Sequence, residues 1–254
     1  MSNTAQTTAR TRVPMDPTRK TALVAGIFYV ITFVSIPTLV PPLALYSLVT
    51  GKDYLISSGS DTDALWGAFL EIIVALAGIG TAITLYPVVK RQNEAMALGF
   101  VASRTLEAAM IFTGVVSLLS LVNLPHGGAA AASLVTTGAS HVATYNGAFL
   151  LGQTLMPAIN ALLLGSLLYR SRLVPRALPV MGLIGAPLLL TAVVAILFGG
   201  IEQISVWTAL ATLPVAAWEL SLGVWLVVKG FRPSPVTEGM AADRPRPAYQ
   251  DAAV

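Results

Sequence analysis

Six long apolar runs, more than any other feature of the chain, limit what it can fold into. They cover residues 21–46, 64–89, 95–123, 141–169, 177–199 and 205–228. Each is near or above the ~20 residues that carry a helix across the hydrocarbon core of a bilayer. In lipid, backbone N–H and C=O groups are satisfied only within a helix or a closed barrel, and runs this long and this uniformly apolar are helices. The expected fold class is therefore all-α, a polytopic membrane protein built as a bundle of six transmembrane helices. The chain is 55% hydrophobic and 11% charged, with a mean hydropathy of +0.75, against about a quarter charged residues in a soluble domain. The transmembrane domain is set at residues 21–230. Residues 1–20 and 231–254 are polar or Pro-rich and are expected to be disordered.

The first run could be mistaken for a secretory signal, since Arg19 and Lys20 precede it. It is longer than a signal core and no small-x-small cleavage site follows. Pro37, Pro41 and Pro42 suggest a bent or early-ending first span, and it is read as retained.

Lys and Arg fall almost entirely on one side. Arg10, Arg12, Arg19 and Lys20 precede the first span, and Lys90 and Arg91 divide the second from the third. Arg170, Arg172 and Arg176 divide the fourth from the fifth, and Lys229, Arg232, Arg244 and Arg246 follow the sixth. The opposite side has only Lys52, and Arg104 lies within a span. By the positive-inside rule both ends face the cytoplasm. The net charge of +3 thus reports topology, and with no basic groove carrying interleaved aromatics the chain is not expected to bind nucleic acid.

Four ionisable residues sit inside the runs: Glu71 in the second, Arg104 and Glu107 in the third, and Glu219 in the sixth. Each is costly in hydrocarbon and is expected to face the bundle interior or a watery cavity. Arg104 is permanently charged and needs a carboxylate, and Glu107, three residues on, shares its helix face. At 1.5 Å per residue, Arg104, Glu107 and Glu219 all lie roughly 13–18 Å from the cytoplasmic ends of their spans, with Glu71 nearer the outer face. Three acids against one permanent cation leave two uncompensated negative charges, and desolvation and like-charge repulsion favour protonation of at least one carboxyl.

Spacing adds polar neighbours to this centre. Asn146, Gln153 and Asn160 recur every seven residues along the fourth span, with Pro157 on the same stripe. Thr208, Thr212, Glu219 and Gly223 share a face of the sixth span, and Gly67, Glu71 and Gly78 share one of the second. Such residues also lock helices together in lipid without any chemistry, which is the competing interpretation. The candidate polar centre comprises Glu71, Arg104, Glu107, Asn146, Gln153, Asn160, Thr212 and Glu219.

Other features carry less. His126 and His141 lie toward the outer side with no ligand spacing, so no metal and no other cofactor is expected. With no Cys there is neither a disulfide nor a thiolate site. Tyr46, Trp66, Tyr86, Tyr145, Tyr169 and Trp207 fall at run ends and read as interfacial anchors. Gly127 and Gly128 lack the strand-then-helix context of a phosphate loop. The strings Gly67–Leu70 and Gly147–Leu150 are identical, a faint sign of a parallel internal repeat.

Four segments together resemble a bacterial membrane family catalogued as domain of unknown function 4386. They are Lys20–Tyr29, Ser103–Ala108, Leu168–Arg176 and Trp218–Gly230, and the resemblance extends over residues 20–232. It implies a bacterial plasma (inner) membrane protein of several helices and adds no chemistry.

The leading functional expectation is a small carrier, acting as a homo-oligomer, with Glu107 or Glu219 as a proton or cation site. Its ligand would be a small molecule or lipid of unassigned identity. The alternatives are an intramembrane enzyme on a lipid or isoprenoid, with a Glu as general acid, and a non-catalytic scaffold or regulatory subunit. A watery path to the Arg104 level favours the carrier, a lateral opening the enzyme, and a packed interior with every Glu paired the scaffold.

Overall fold

The computed structural model describes residues 15–35, 61–124 and 131–242. Among these the secondary structure is helical throughout: α1 (Pro17–Val34), α2 (Asp61–Val89), α3 (Glu94–Val122), α4 (Ala131–Phe149), α5 (Met156–Ser171), α6 (Ala177–Leu197), α7 (Val206–Val228) and α8 (Pro235–Ala242). A π-helical segment, Leu150–Leu155, joins α4 to α5 in one rod. Five stretches are long and apolar enough to cross a membrane: Ala64–Val89, Glu94–Val122, Thr136–Ser171, Ala177–Leu197 and Val206–Val228. α1, 18 residues long, covers the first run as far as Val34, and the run beyond Ser35, with Pro37, Pro41, Pro42 and Tyr46, lies outside the described residues. Arg10, Arg12, Lys52, His126, Gly127, Gly128, Arg244 and Arg246 lie outside them too.

Local sequence explains where the helices start and stop. Asn93 accepts a hydrogen bond from the Met96 backbone N–H at 2.9 Å, and Ser205 accepts one from Thr208 at 3.3 Å, so α3 and α7 begin on side-chain caps. Arg172 ends α5 in the left-handed conformation at φ 57°, three residues before Pro175.

The helices close into a ring. Each crossing element packs on its chain neighbours, and α1 completes the circuit by packing on both α2 and α7. Small residues make these contacts close, as expected where lipid supplies no hydrophobic drive between helices. A Cβ on Gly26 of α1 would come within 2.8 Å of the Gly223 carbonyl oxygen on α7, and Gly182 of α6 lies directly under the Trp218 ring. One apolar core, including Tyr29, Leu85, Phe100, Leu164, Leu189 and Trp218, fills much of the interior, and a smaller one sits among α2, α3 and α4. Large apolar side chains such as Ile83, Phe198 and Leu213 point outward, where a bilayer would cover them.

The described basic residues other than Arg104 gather where α1, α3 and α6 begin and α2, α5 and α7 end. Arg19 donates hydrogen bonds there to the carbonyls of Leu226, at 2.8 Å, and Val227, at 2.5 Å, capping the end of α7. Gly230, at φ +74°, lets the chain turn against the Arg19 side chain. Lys90, Arg176 and Arg232 lie over the rings of Tyr86, Tyr169 and Trp225 at 5.4, 5.0 and 5.3 Å.

Three boundaries differ from the sequence expectation. The first helix begins at Pro17, not Thr21, because Pro is well suited to the first helical turn and Lys20 already donates to the Asp16 carbonyl. The fourth rod begins at Ala131, ten residues before the expected 141, since its Ala-rich start is a good helix former although weakly apolar. The tail is not structureless from 231. The Arg232 N–H donates to the Leu173 carbonyl at 2.8 Å, Ser234 Oγ donates to that of Ser171 at 2.6 Å, and α8 follows.

Candidate functional site

The charged residues of the spans occupy two centres inside the ring. The first is built around Arg104 on α3. Its Nη1 donates to both oxygens of Glu107 on the same helix, at 3.2 and 3.0 Å, and its Nη2 donates to Glu219 Oε1 on α7 at 2.6 Å. Asn160 on α5 donates from Nδ2 to Glu107 Oε2 at 2.6 Å. Tyr29 on α1 places its hydroxyl 3.5 Å from Arg104 Nη2. The guanidinium carbon also lies near the Tyr29 and Phe100 rings, 5.5 and 5.8 Å from their centroids, within the range of cation–π attraction. One cation thus meets two carboxylates, and the group reaches α1, α3, α5 and α7. Removing ions from water costs more than one contact returns, so this density of partners is what makes the burial tolerable.

The second centre is Glu71 on α2. Its Oε1 accepts from the Tyr145 hydroxyl at 2.5 Å and from Gln153 Nε2 at 3.2 Å, while Oε2 is buried with no hydrogen-bond partner. Both ion pairs formed by carboxylates of the described spans belong to Arg104, and neither includes Glu71.

A cavity of about 120 Å³ lies beside the Arg104 centre, bordered by Arg104, Glu107, Glu219, Gln153, Thr212 and Thr32 among mostly apolar neighbours. It has room for several water molecules. Glu219 is the more exposed of the two carboxylates there, its side chain 14% exposed against 9% for Glu107.

The π segment sets the register between the two limbs of the fourth rod. A π turn accommodates an extra residue, so the side chains before it are rotated relative to those after it. Gly152, in that turn, sits where any Cβ would fall 2.7 Å from Met110, bringing the segment against α3. Pro157 follows at the start of α5, where it lacks the N–H to continue a regular ladder.

The eight residues of the candidate centre therefore separate. Arg104, Glu107, Asn160 and Glu219 form one network, Glu71 and Gln153 belong to the other, and Thr212 lines the cavity while its hydroxyl donates to the Thr208 carbonyl. Asn146 joins neither. Its carbonyl accepts from Gln203 at 3.1 Å, and its buried Oδ1 has no hydrogen-bond partner. The heptad stripe is broken because the π turn falls between Asn146 and Asn160. His141 borders a groove between α3 and α4 with Ser117, Ser120 and Ser140, away from both centres.

Two tyrosines carry more than the run pattern suggested. Tyr145 is buried, its hydroxyl on Glu71, so it is not an interfacial anchor. Tyr29 hides within the first run, and the signal that marks it is its position one helical turn above Gly26 on the face that meets α7. Trp66 and Trp207 are exposed, as anchors should be.

No curated protein and no solved structure matches the chain. A family model does, and its span takes in every residue of both centres. With residues 24–230 matched, the chain belongs to the family described as Domain of unknown function (DUF4386).

Proposed function

We propose that the protein is a small proton-linked carrier of the plasma membrane, six spans with both ends cytoplasmic, working through the Arg104 centre. The observation that carries this reading is the pairing of Arg104 with Glu219 at the edge of a cavity inside a largely apolar ring. Intramembrane ionisable groups that face one another across water-accessible space are what ion and proton pathways are built from. Glu219 comes from the last span and Arg104 from the third, so gain of a proton by Glu219 breaks a contact between elements. That couples a chemical event to helix packing, as alternating access needs.

About 120 Å³ holds several waters or a small solute, which suits a carrier. The scaffold reading requires each Glu to be paired, and Glu71 has no cation among the described residues.

The test is proton movement in reconstituted vesicles carrying an internal pH dye, driven by a potassium diffusion potential. The parent protein is expected to raise proton entry several-fold over protein-free vesicles, and Glu219→Gln to abolish the increase while folding normally. Parent vesicles that match protein-free ones overturn the reading.

A further inference from the structure

Glu71 is the acid that the Arg104 centre leaves unexplained. It is 1% exposed and lies between Ala68 and Ala75 on the inward face of α2. The groups that meet it are Tyr145 from α4 and Gln153 from the π segment, both neutral donors and both aimed at Oε1. α2 and α3 meet beside it in an apolar cluster that includes Ala108, Ile111 and Val115 of α3. Arg104, Glu107 and Glu219 border the cavity that Gln153 also lines, and they pair with one another. A carboxylate here would be a desolvated charge with no counter-ion among the described residues. A carboxylic acid is neutral, its carbonyl oxygen taking both donors and its hydroxyl on Oε2.

Gln153 touches both places. Its amide donates to Glu71, and its side chain forms part of the wall of the cavity that Arg104 and Glu219 border. It stands in the π turn, which breaks the regular ladder of the rod at that level.

We propose that Glu71, Tyr145 and Gln153 form a second proton-binding site, in series with the Arg104 centre, with Gln153 as the partition between them. When the Gln153 amide swings aside, the O–H bond at Glu71 breaks and the proton passes through cavity water to the Glu219 carboxylate, where a new O–H bond forms. Glu71 is left as a carboxylate held by the Tyr145 hydroxyl. Glu219, now neutral, releases its ion pair, and Arg104 remains paired with Glu107. The series role rests on the carrier reading, whereas the proton on Glu71 does not.

Infrared spectroscopy of the purified protein in lipid near neutral pH separates the two. The parent is expected to show a protonated-carboxyl band above the amide region. That band is lost in Glu71→Gln and kept in Glu219→Gln. It moves to higher frequency in Tyr145→Phe, where the carbonyl loses a donor. Should Glu71→Gln fail to fold, the Tyr145→Phe shift decides alone. Absence of the band in the parent, or a band unmoved by Tyr145→Phe, overturns the proposal even if vesicles take up protons. A band that behaves as expected in a protein that moves no protons leaves the Glu71 site standing and removes its series role with the carrier reading.

Discussion

Arg104 reaches from α3 to α7 and sets Nη2 2.6 Å from Glu219 Oε1, while its Nη1 holds Glu107 one turn away on its own helix. The pair closes the ring from inside at the level where Tyr29 and Asn160 also converge. A single guanidinium therefore decides the relative placement of four elements. Such a group specifies an arrangement more than it stabilises one, because replacing a buried ion pair as a whole by apolar residues is often neutral, while removing one member leaves the other stranded.

Arg104→Ala is accordingly expected to lower stability by about 3–5 kcal/mol, the cost of leaving buried carboxylates uncompensated. Arg91→Ala, at the exposed turn after α2, should change it little. Melting of the two variants in detergent checks this, and equal melting temperatures would show that Arg104 does not act as a buried partner.

The space beside two helix glycines, Gly26 in the α1–α7 contact and Gly147 on α4, predicts opposite outcomes for one substitution. Gly26→Ala puts a methyl group 2.8 Å from the Gly223 carbonyl oxygen and the Val227 backbone nitrogen, atoms that cannot turn away. A loss of about 1–3 kcal/mol is expected from overpacking. At Gly147 a Cβ meets nothing within 4 Å, so Gly147→Ala should gain up to about 1 kcal/mol from helix propensity. Thermal unfolding of both variants decides the matter.

The break in the heptad stripe separates the two asparagines in the same way. Asn160→Leu strips Glu107 of a 2.6 Å donor and should cost about 1–3 kcal/mol. Asn146→Leu removes an oxygen that already lacks a partner and should be neutral or stabilising. Matching losses for the two would argue against the π turn.

Orientation is open to labelling, because the chain contains no Cys. Glu202→Cys, exposed before α7, should react with an impermeant thiol reagent in intact cells. Glu238→Cys, exposed on α8, should react only after the membrane is opened. The reverse pattern would invert the assignment of both ends to the cytoplasm.

Much of this centre was legible residue by residue. Arg104 and Glu107 are one turn apart on an apolar helix, a spacing that makes contact unavoidable, and counting 1.5 Å per residue put Glu219 at their depth. Glu71 stood apart by the same count. What stayed hidden has physical causes. The π turn comes from an insertion in the hydrogen-bond ladder, which leaves no mark on hydropathy, so Asn146 looked like a member of a stripe that it leaves. Tyr145 and Tyr29 are amphipathic, and a tyrosine at a run end looks the same whether its hydroxyl meets water or a buried carboxyl. The tie from Ser234 to the Ser171 carbonyl depends on two segments that meet only after folding.

The seam between α1 and α7 has a consequence for how the protein is made. Arg19 binds carbonyls 207 and 208 residues further along the chain, and Arg104 waits 115 residues for Glu219. During synthesis α3 must enter the membrane before Glu219 exists, with Glu107 as the carboxylate beside Arg104, a pair with little net charge that can travel as one unit. The ring stays open along one side until the last span emerges. Its final closure then depends on that span alone, and a chain stopped before Val206 would leave α1 packed on α2 only and Arg104 exposed through an unfilled gap.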